Sequence, residues 1–407
     1  QIVAVETDDL LALSTSQIRA LTTVQVAALT TAQVAAMSTD QTAAMSTAQV
    51  VAMTTSHIVA LSNEQVAALT KPQLAAMTTS QIAALTTGQV INMTTAETAA
   101  MRTDQVLALR SDQVAALTSA NVRALGTSQL VALETGDLVA LVTANMLALT
   151  TTQTAALMTA QVFALTSAQM VGLGTLNTAT LGSAQLQAMV TANVAALTSD
   201  GLRALRSVQV NALRTDQIAA LTTRQVANLS SVQISGLSTD QVLAIVSSDI
   251  AALSTDNLRV LNSLQIRTLD SSQIVALTTM QASSLSTANA SVLKDEQITA
   301  LETADVAALS SSSLRALGSA QLQALTSDQV LAMVTAQFAA LSTFNVSSLG
   351  TVQVAALYTK DIAALSTAQL QALVSNQVAS MTTGQVVSLS TAQMVGMLVT
   401  PDQYITL

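Results

Sequence analysis

Residues able to do chemistry are sparse in this chain of 407, and no group of them has the spacing a catalyst needs. His57 is the only histidine and there is no cysteine, which excludes a Cys-His triad and any multi-histidine or thiolate metal site. Serine and threonine abound, yet no Gly-x-Ser-x-Gly elbow, Gly-rich phosphate loop or Gly-Lys-Ser/Thr occurs. Acidic residues gather only locally, as at Asp8-Asp9 and Lys294-Asp295-Glu296, where a carboxylate near a helix start favours the dipole rather than calcium. Asn92, Asn228, Asn289 and Asn345 head Asn-x-Ser/Thr triplets, which a chain so rich in Ser and Thr contains by chance. The expectation is no catalytic, cofactor-binding or metal residue, and no enzymatic activity.

What positions these scattered residues is one recurring unit. From Val5 to Gly396 the chain is 49 consecutive octapeptides, each a variant of Leu-Thr-Thr-Ala-Gln-Val-Ala-Ala, without insertion or deletion. With position 1 set at Leu13, Leu21, Leu29 and onward, that position is Leu or Met except at Val5 and Ile245, and reads as core. Position 3 is Ser, Thr, Asn or Asp except at Lys71, the set that caps helix N-termini, so a helix is expected to begin in every octad. Pro72 then falls at the first helical residue, and Gly126, Gly174, Gly182, Gly318 and Gly350, all at position 2, read as left-handed stops. Such a helix runs about one and a half turns, too short to persist without stacking. Positions 5, 8 and 1 form its buried face, widened by the aliphatic position 6, and positions 4 and 7 lie opposite.

A longer rhythm is superposed. Gln fills position 5 in most octads, and its replacements recur at multiples of 56 residues, which is seven octads. One set is Asn121, Asn177, Asn289 and Asn345, joined by Asp9. A second is Asp137, Asn193, Asp249, Asp305 and Asp361; a third is Asn145, Gly201, Asn257 and Ser313. Only His57 and Glu97 stand outside all three. Position 7 repeats the rhythm with Arg203, Arg259 and Arg315, and with the apolar series Val51, Leu107, Phe163, Ala219, Val275, Leu331 and Val387. Seven octads should therefore complete a whole number of superhelical turns, whether one, two or three. The position 5 amides should bond backbone groups of an adjacent helix or turn, with Asn or Asp where that partner lies nearer. The apolar series is a candidate stripe for self-association, against the alternative that superhelical curvature buries it within the chain.

Composition narrows the function classes. Charged residues are 9% and aromatics 1% of the chain, the net charge is −9, and no basic face or aromatic platform offers itself to nucleic acid. Polar residues interrupt nearly every octad, so no stretch spans a bilayer, and no signal peptide is visible. Residues 1–396 are expected to form one continuous solenoid that starts within a repeat. Residues 397–407, carrying Pro401 and Tyr404, read as an irregular boundary or capping unit.

The expected fold class is all-α, a solenoid of very short helices with a 56-residue superperiod; the alternative weighed is a parallel β-solenoid with two octads per coil. One uninterrupted helix is disfavoured because its apolar positions would rotate by about 80° per octad. The segment Leu21-Thr22-Thr23-Val24-Gln25-Val26-Ala27-Ala28-Leu29 resembles the first helix of TAL-effector repeats, and no further. Those repeats are about four times longer, basic, and carry a second helix and a base-reading loop, so DNA reading is not implied. The whole array resembles the octapeptide tracts of very large secreted or surface proteins of proteobacteria. That resemblance implies an extracellular or cell-surface structural protein, a fibre, stalk or sheath whose partner is itself. The alternative is a repetitive binding surface for ice or polysaccharide, presented by the Thr pairs at positions 2 and 3, although Arg102, Arg110, Val190, Val246 and Tyr358 interrupt the row.

Overall fold

The computed structural model describes residues 2–398. Among them are 49 α-helices of four to eight residues and a 3-10 helix, Ile2–Ala4, with no strand, which excludes the parallel β-solenoid. Each helix occupies one octad. With the exception of Gly174–Thr180 it starts at position 3, as in Thr31–Ala36 and Thr39–Ala44, so the N-cap is position 2 and not position 3. The correction follows from Gln at position 5: counted from position 2 it is the third helical residue, and Ser/Thr-x-x-Gln is a capping box. In helix Thr79–Ala84, Thr78 Oγ1 accepts from the Gln81 N–H (3.2 Å) while Gln81 Oε1 accepts from the Thr78 N–H (2.8 Å). Pro72 accordingly sits second in its helix, Lys71–Ala76, where its missing N–H still costs no intrahelical bond.

All but one of the described helices end without a left-handed residue; the exception, Ser167–Gly172, is followed by Gly174, where the expected left-handed stop is found. The position 1 residue turns extended, as Leu21 does at φ −61° and ψ 139°, while its N–H bonds the carbonyl three residues back. Position 2 is extended too, and the paired extended residues redirect the chain into the next helix. Gly126, Gly182, Gly318 and Gly350 adopt this same extended N-cap geometry, contrary to the expected left-handed stop. Only Gly174, at φ +69°, is left-handed among the described residues.

Position 6 is the deepest part of the core. Val34, Ile82, Leu130, Ile266 and Val330 are wholly buried, each worth about 1.5–3 kcal/mol relative to exposure. Position 1 closes the core beside them, as at Leu85 and Leu133, and position 8 is mostly half-buried. A small residue there permits close approach: a Cβ on Gly172 would lie 2.7 Å from the Thr143 carbonyl oxygen.

Two compact units are distinguished, Gln1–Leu205 and Arg206–Leu407. In the first, each helix packs beside the third one along, as Thr15–Ala20 does on Thr39–Ala44 and Thr87–Asn92 on Ser111–Ala116. The second repeats the rule, with Thr239–Ala244 on Ser263–Thr268 and Thr303–Ala308 on Ser327–Ala332. Each unit is a helical solenoid, one octad per side and three to four sides per coil.

Candidate functional site

The recurring side chain with most to do is the position 5 glutamine. An amide has an acceptor oxygen and two N–H donors, so it can serve two kinds of partner at once. In the first unit, Gln113 Oε1 accepts from the Arg110 N–H (2.8 Å), an orphan donor of its own helix start. Its Nε2 donates to the carbonyls of Ile82 (2.9 Å) and Leu85 (2.7 Å), at the C-terminal end of helix Thr79–Ala84, one coil back. Gln297 in the second unit does the same with Lys294 N–H, Ile266 O and Leu269 O. The partners fix which way the amide points, because only an N–H lies on one side and only carbonyls on the other.

The acceptors stand 28 and 31 residues earlier at joint after joint. These carbonyls end the helix four back, whereas each helix packs on the third along, which brackets the coil between three and four octads, consistent with two coils in the 56-residue superperiod. The reciprocal N–H bond also explains why position 2 tolerates residues that cannot cap. Gly126, Met158, Val334 and Val374 each donate their N–H to the following Gln Oε1 without offering a hydroxyl.

The Asn series occupies the same socket on a shorter arm. Asn121 donates to Met93 O (2.9 Å), Asn177 to Leu149 O (3.0 Å), Asn289 to Leu261 O (3.2 Å) and Asn345 to Leu317 O (3.3 Å). Asn193 reaches Leu165 O at 2.6 Å and also accepts from the Ser167 hydroxyl, 26 residues earlier. The aspartates use that second contact: Ser111 donates to Asp137, Thr223 to Asp249 and Thr335 to Asp361, each at 2.6 Å. These position 3 hydroxyl donors are not evident in the sequence, where Ser and Thr at that position look alike in every octad. The capping box was legible there, as Ser/Thr three residues before Gln.

His57 mimics glutamine. Its Nδ1 accepts from the Thr54 N–H (3.3 Å) and its Nε2 bonds the Leu29 carbonyl (2.8 Å), which selects the Nε2–H tautomer and leaves the ring no free nitrogen for a metal. Glu97 is the misfit. One oxygen accepts from the Thr94 N–H (2.5 Å), while the other is buried with no partner.

The apolar position 7 series faces outward. In the first unit Val51, Leu107 and Phe163 are exposed, Phe163 by 59%. In the second Ala219, Val275 and Val387 are exposed and Leu331 is half-buried. Charged residues at the surface pair locally, Arg102 with Asp104, Arg110 with Asp112 and Arg214 with Asp216. The indentations are shallow, such as a groove of about 500 Å³ beside Gly174, lined by Arg123, Leu147, Thr150, Thr151 and Leu176. Among the described residues no cluster of His, Asp and Glu could hold a metal, and no helix is long and apolar enough to cross a membrane. Residues 399–407, most of the expected boundary unit, lie outside the described residues.

A family model described as the ALTTAQ repeat matches the chain ten times, over 2–39, 34–71, 130–167, 194–231, 212–247, 242–279, 250–287, 298–335, 330–367 and 354–391. No curated protein matches.

Proposed function

We propose that this chain, which belongs to the ALTTAQ repeat family, is a non-enzymatic structural protein, a fibre, stalk or sheath subunit that associates laterally with copies of itself. One observation carries the reading: the residue that recurs at position 5 is occupied with joining coils, as Gln41, Gln105 and Gln329 are, and so serves the array and not a ligand. Lateral contact is assigned to the position 7 series, because its apolar side chains recur every 56 residues and, Leu331 apart, are exposed. Placement outside the cell rests on the likeness to octapeptide tracts of secreted and surface proteins.

The competing reading, a hydroxyl surface for ice or polysaccharide, is weakened by the chemistry of position 2. Thr22 and Thr150 direct their hydroxyls at Gln25 and Gln153 rather than at solvent. Electron micrographs and sedimentation of the purified chain test the proposal. Bundles or filaments that vanish in Leu107→Glu/Phe163→Glu, with helicity and melting unchanged, are the expected result. A native chain that stays monomeric at every concentration, or a variant that assembles as well as the native chain, would overturn it. Thermal hysteresis or glycan retention by a monomer would favour the alternative.

A further inference from the structure

Two buried side-chain atoms lack a hydrogen-bond partner among the described residues, Glu97 Oε1 and Asp305 Oδ2. Both occupy position 5, one in each compact unit, with 2% and 1% of their surface exposed. The socket they enter is built for a donor. Counted by the 28-residue register, Glu97 stands opposite the carbonyl of Leu69 and Asp305 opposite that of Leu277, where every neighbouring glutamine presents an N–H. Gln89 and Gln105, one octad either side of Glu97, bond Leu61 O and Met77 O in this way at 2.7 and 2.8 Å. An ionised carboxylate has no proton to offer and sets negative charge against a carbonyl oxygen.

We propose that Glu97 and Asp305 are proton-operated joints: as neutral acids they close onto the carbonyl 28 residues earlier as a glutamine amide does, and as carboxylates they release it. The unused oxygen carries the proton and becomes the donor. The other oxygen keeps its existing partner, the Thr94 N–H for Glu97 and the Thr279 hydroxyl for Asp305. Burial raises both carboxyls above their usual range, Asp305 to about 6 with a further push from Glu302.

The charges on the elements packed around each joint do not compensate an ionised form. The helices packed on Thr95–Ala100 are Lys71–Ala76 and Ser119–Ala124. Their cations, Lys71 and Arg123, are exposed, as is Glu64 on the helix one coil back. Around Asp305 the charges are all acidic: Glu302 at its own N-cap, Asp328 on the packed helix Ser327–Ala332, and Asp270 at the start of the helix one coil back. Each joint is therefore tight in mild acid and loosens as pH rises toward 8, in an array whose glutamine joints do not titrate.

Hydrogen exchange of the full chain between pH 5 and pH 8, corrected for intrinsic rates, reads the joints segment by segment. The expectation is a loss of protection of tenfold or more at 93–101 and 303–309, with the glutamine-jointed segment 111–117 unchanged. Glu97→Gln and Asp305→Asn, which supply the missing donor, should abolish the loss at their own segment alone. Carbon-13 spectra of the side-chain carboxyls provide a check that does not depend on opening. Flat protection in the native chain, an equal loss in the amide variants, or carboxyl carbons titrating at ordinary values would overturn the proposal. So would rescue of protection at pH 8 by sodium, potassium or calcium chloride, which would make the joint a cation site.

Discussion

Glutamine at position 5 does at residue scale what several capping devices usually share. Each helix, mostly of five or six residues, leaves most of its N–H and C=O groups without an internal partner, and the amide takes one donor from its own helix and two acceptors from another. Gln113→Ala removes all three bonds and leaves the Ile82 and Leu85 carbonyls short of a donor inside the core. The expected loss is about 2–3 kcal/mol in denaturant unfolding, against a near-neutral change for Gln17→Ala, whose amide is exposed. Glu97 and Asp305, in the same socket, are expected to give the chain a pH dependence. Asp305 is raised in the folded state to about 6 from 3.8, so folding takes up a proton. Stability from this group is complete below the unfolded value and is lost as pH climbs through the folded one. Melting temperature should fall from pH 4 to pH 7, and Asp305→Asn should flatten that slope.

The helix itself is a weak element. A capping box and one turn cannot offset the cost of nucleation, so a synthetic peptide of one or two octads should show a coil spectrum by circular dichroism. Within the chain the cap still matters, because it selects where each helix begins. Thr78→Ala removes the hydroxyl acceptor of the Gln81 N–H (3.2 Å) and should cost about 1 kcal/mol, less than the loss of a glutamine because the Thr78 N–H bond to Gln81 survives. The one-residue displacement of the cap from its sequence-read place belongs to this scale. Positions 2 and 3 are both rich in Ser and Thr, and composition alone favoured position 3, which is the more uniform of the two. Spacing to Gln decides otherwise, since only position 2 stands three residues before it. Uniformity at position 3 has its own use, as a hydroxyl on the coil surface that reaches Asp137, Asp249 or Asp361 of the next coil.

At the scale of the molecule, stability is the sum of repeated joints between a coil and the next. The same residue type is core only where a following coil covers it: position 6 is sealed at Val330 and Val354, yet Val386 and Met394 are 41% and 40% exposed. Register is therefore the global variable. Deleting eight residues, 79–86, restores every later glutamine to a carbonyl 28 positions back and should leave helicity per residue unchanged with a small drop in melting temperature. Deleting four, 79–82, puts the sockets out of step over a whole coil. It should depress melting far more and raise hydrogen exchange locally.

The sequence by itself determined the octad and the 56-residue rhythm, because both are written in periodicities of residue type, and it favoured short helices over a parallel β-solenoid; the structure excluded the strands and showed the position 7 series largely exposed. It did not determine how many octads close a coil, since a strictly repeating chain offers every coil length the same octad to pack against. Tertiary structure decided that. The amide at position 5 is only long enough to bridge its own helix start and the carbonyls ending another, and the pair that satisfies both lies 28 and 31 residues back. That geometry, with each helix packed on the third along, holds the coil between three and four octads, in keeping with seven octads as the repeat of equivalent surroundings. It also sets apart Glu97 and Asp305, which read in sequence as two more polar substitutions, as the two places among the described residues where a buried side-chain oxygen in the socket has no partner.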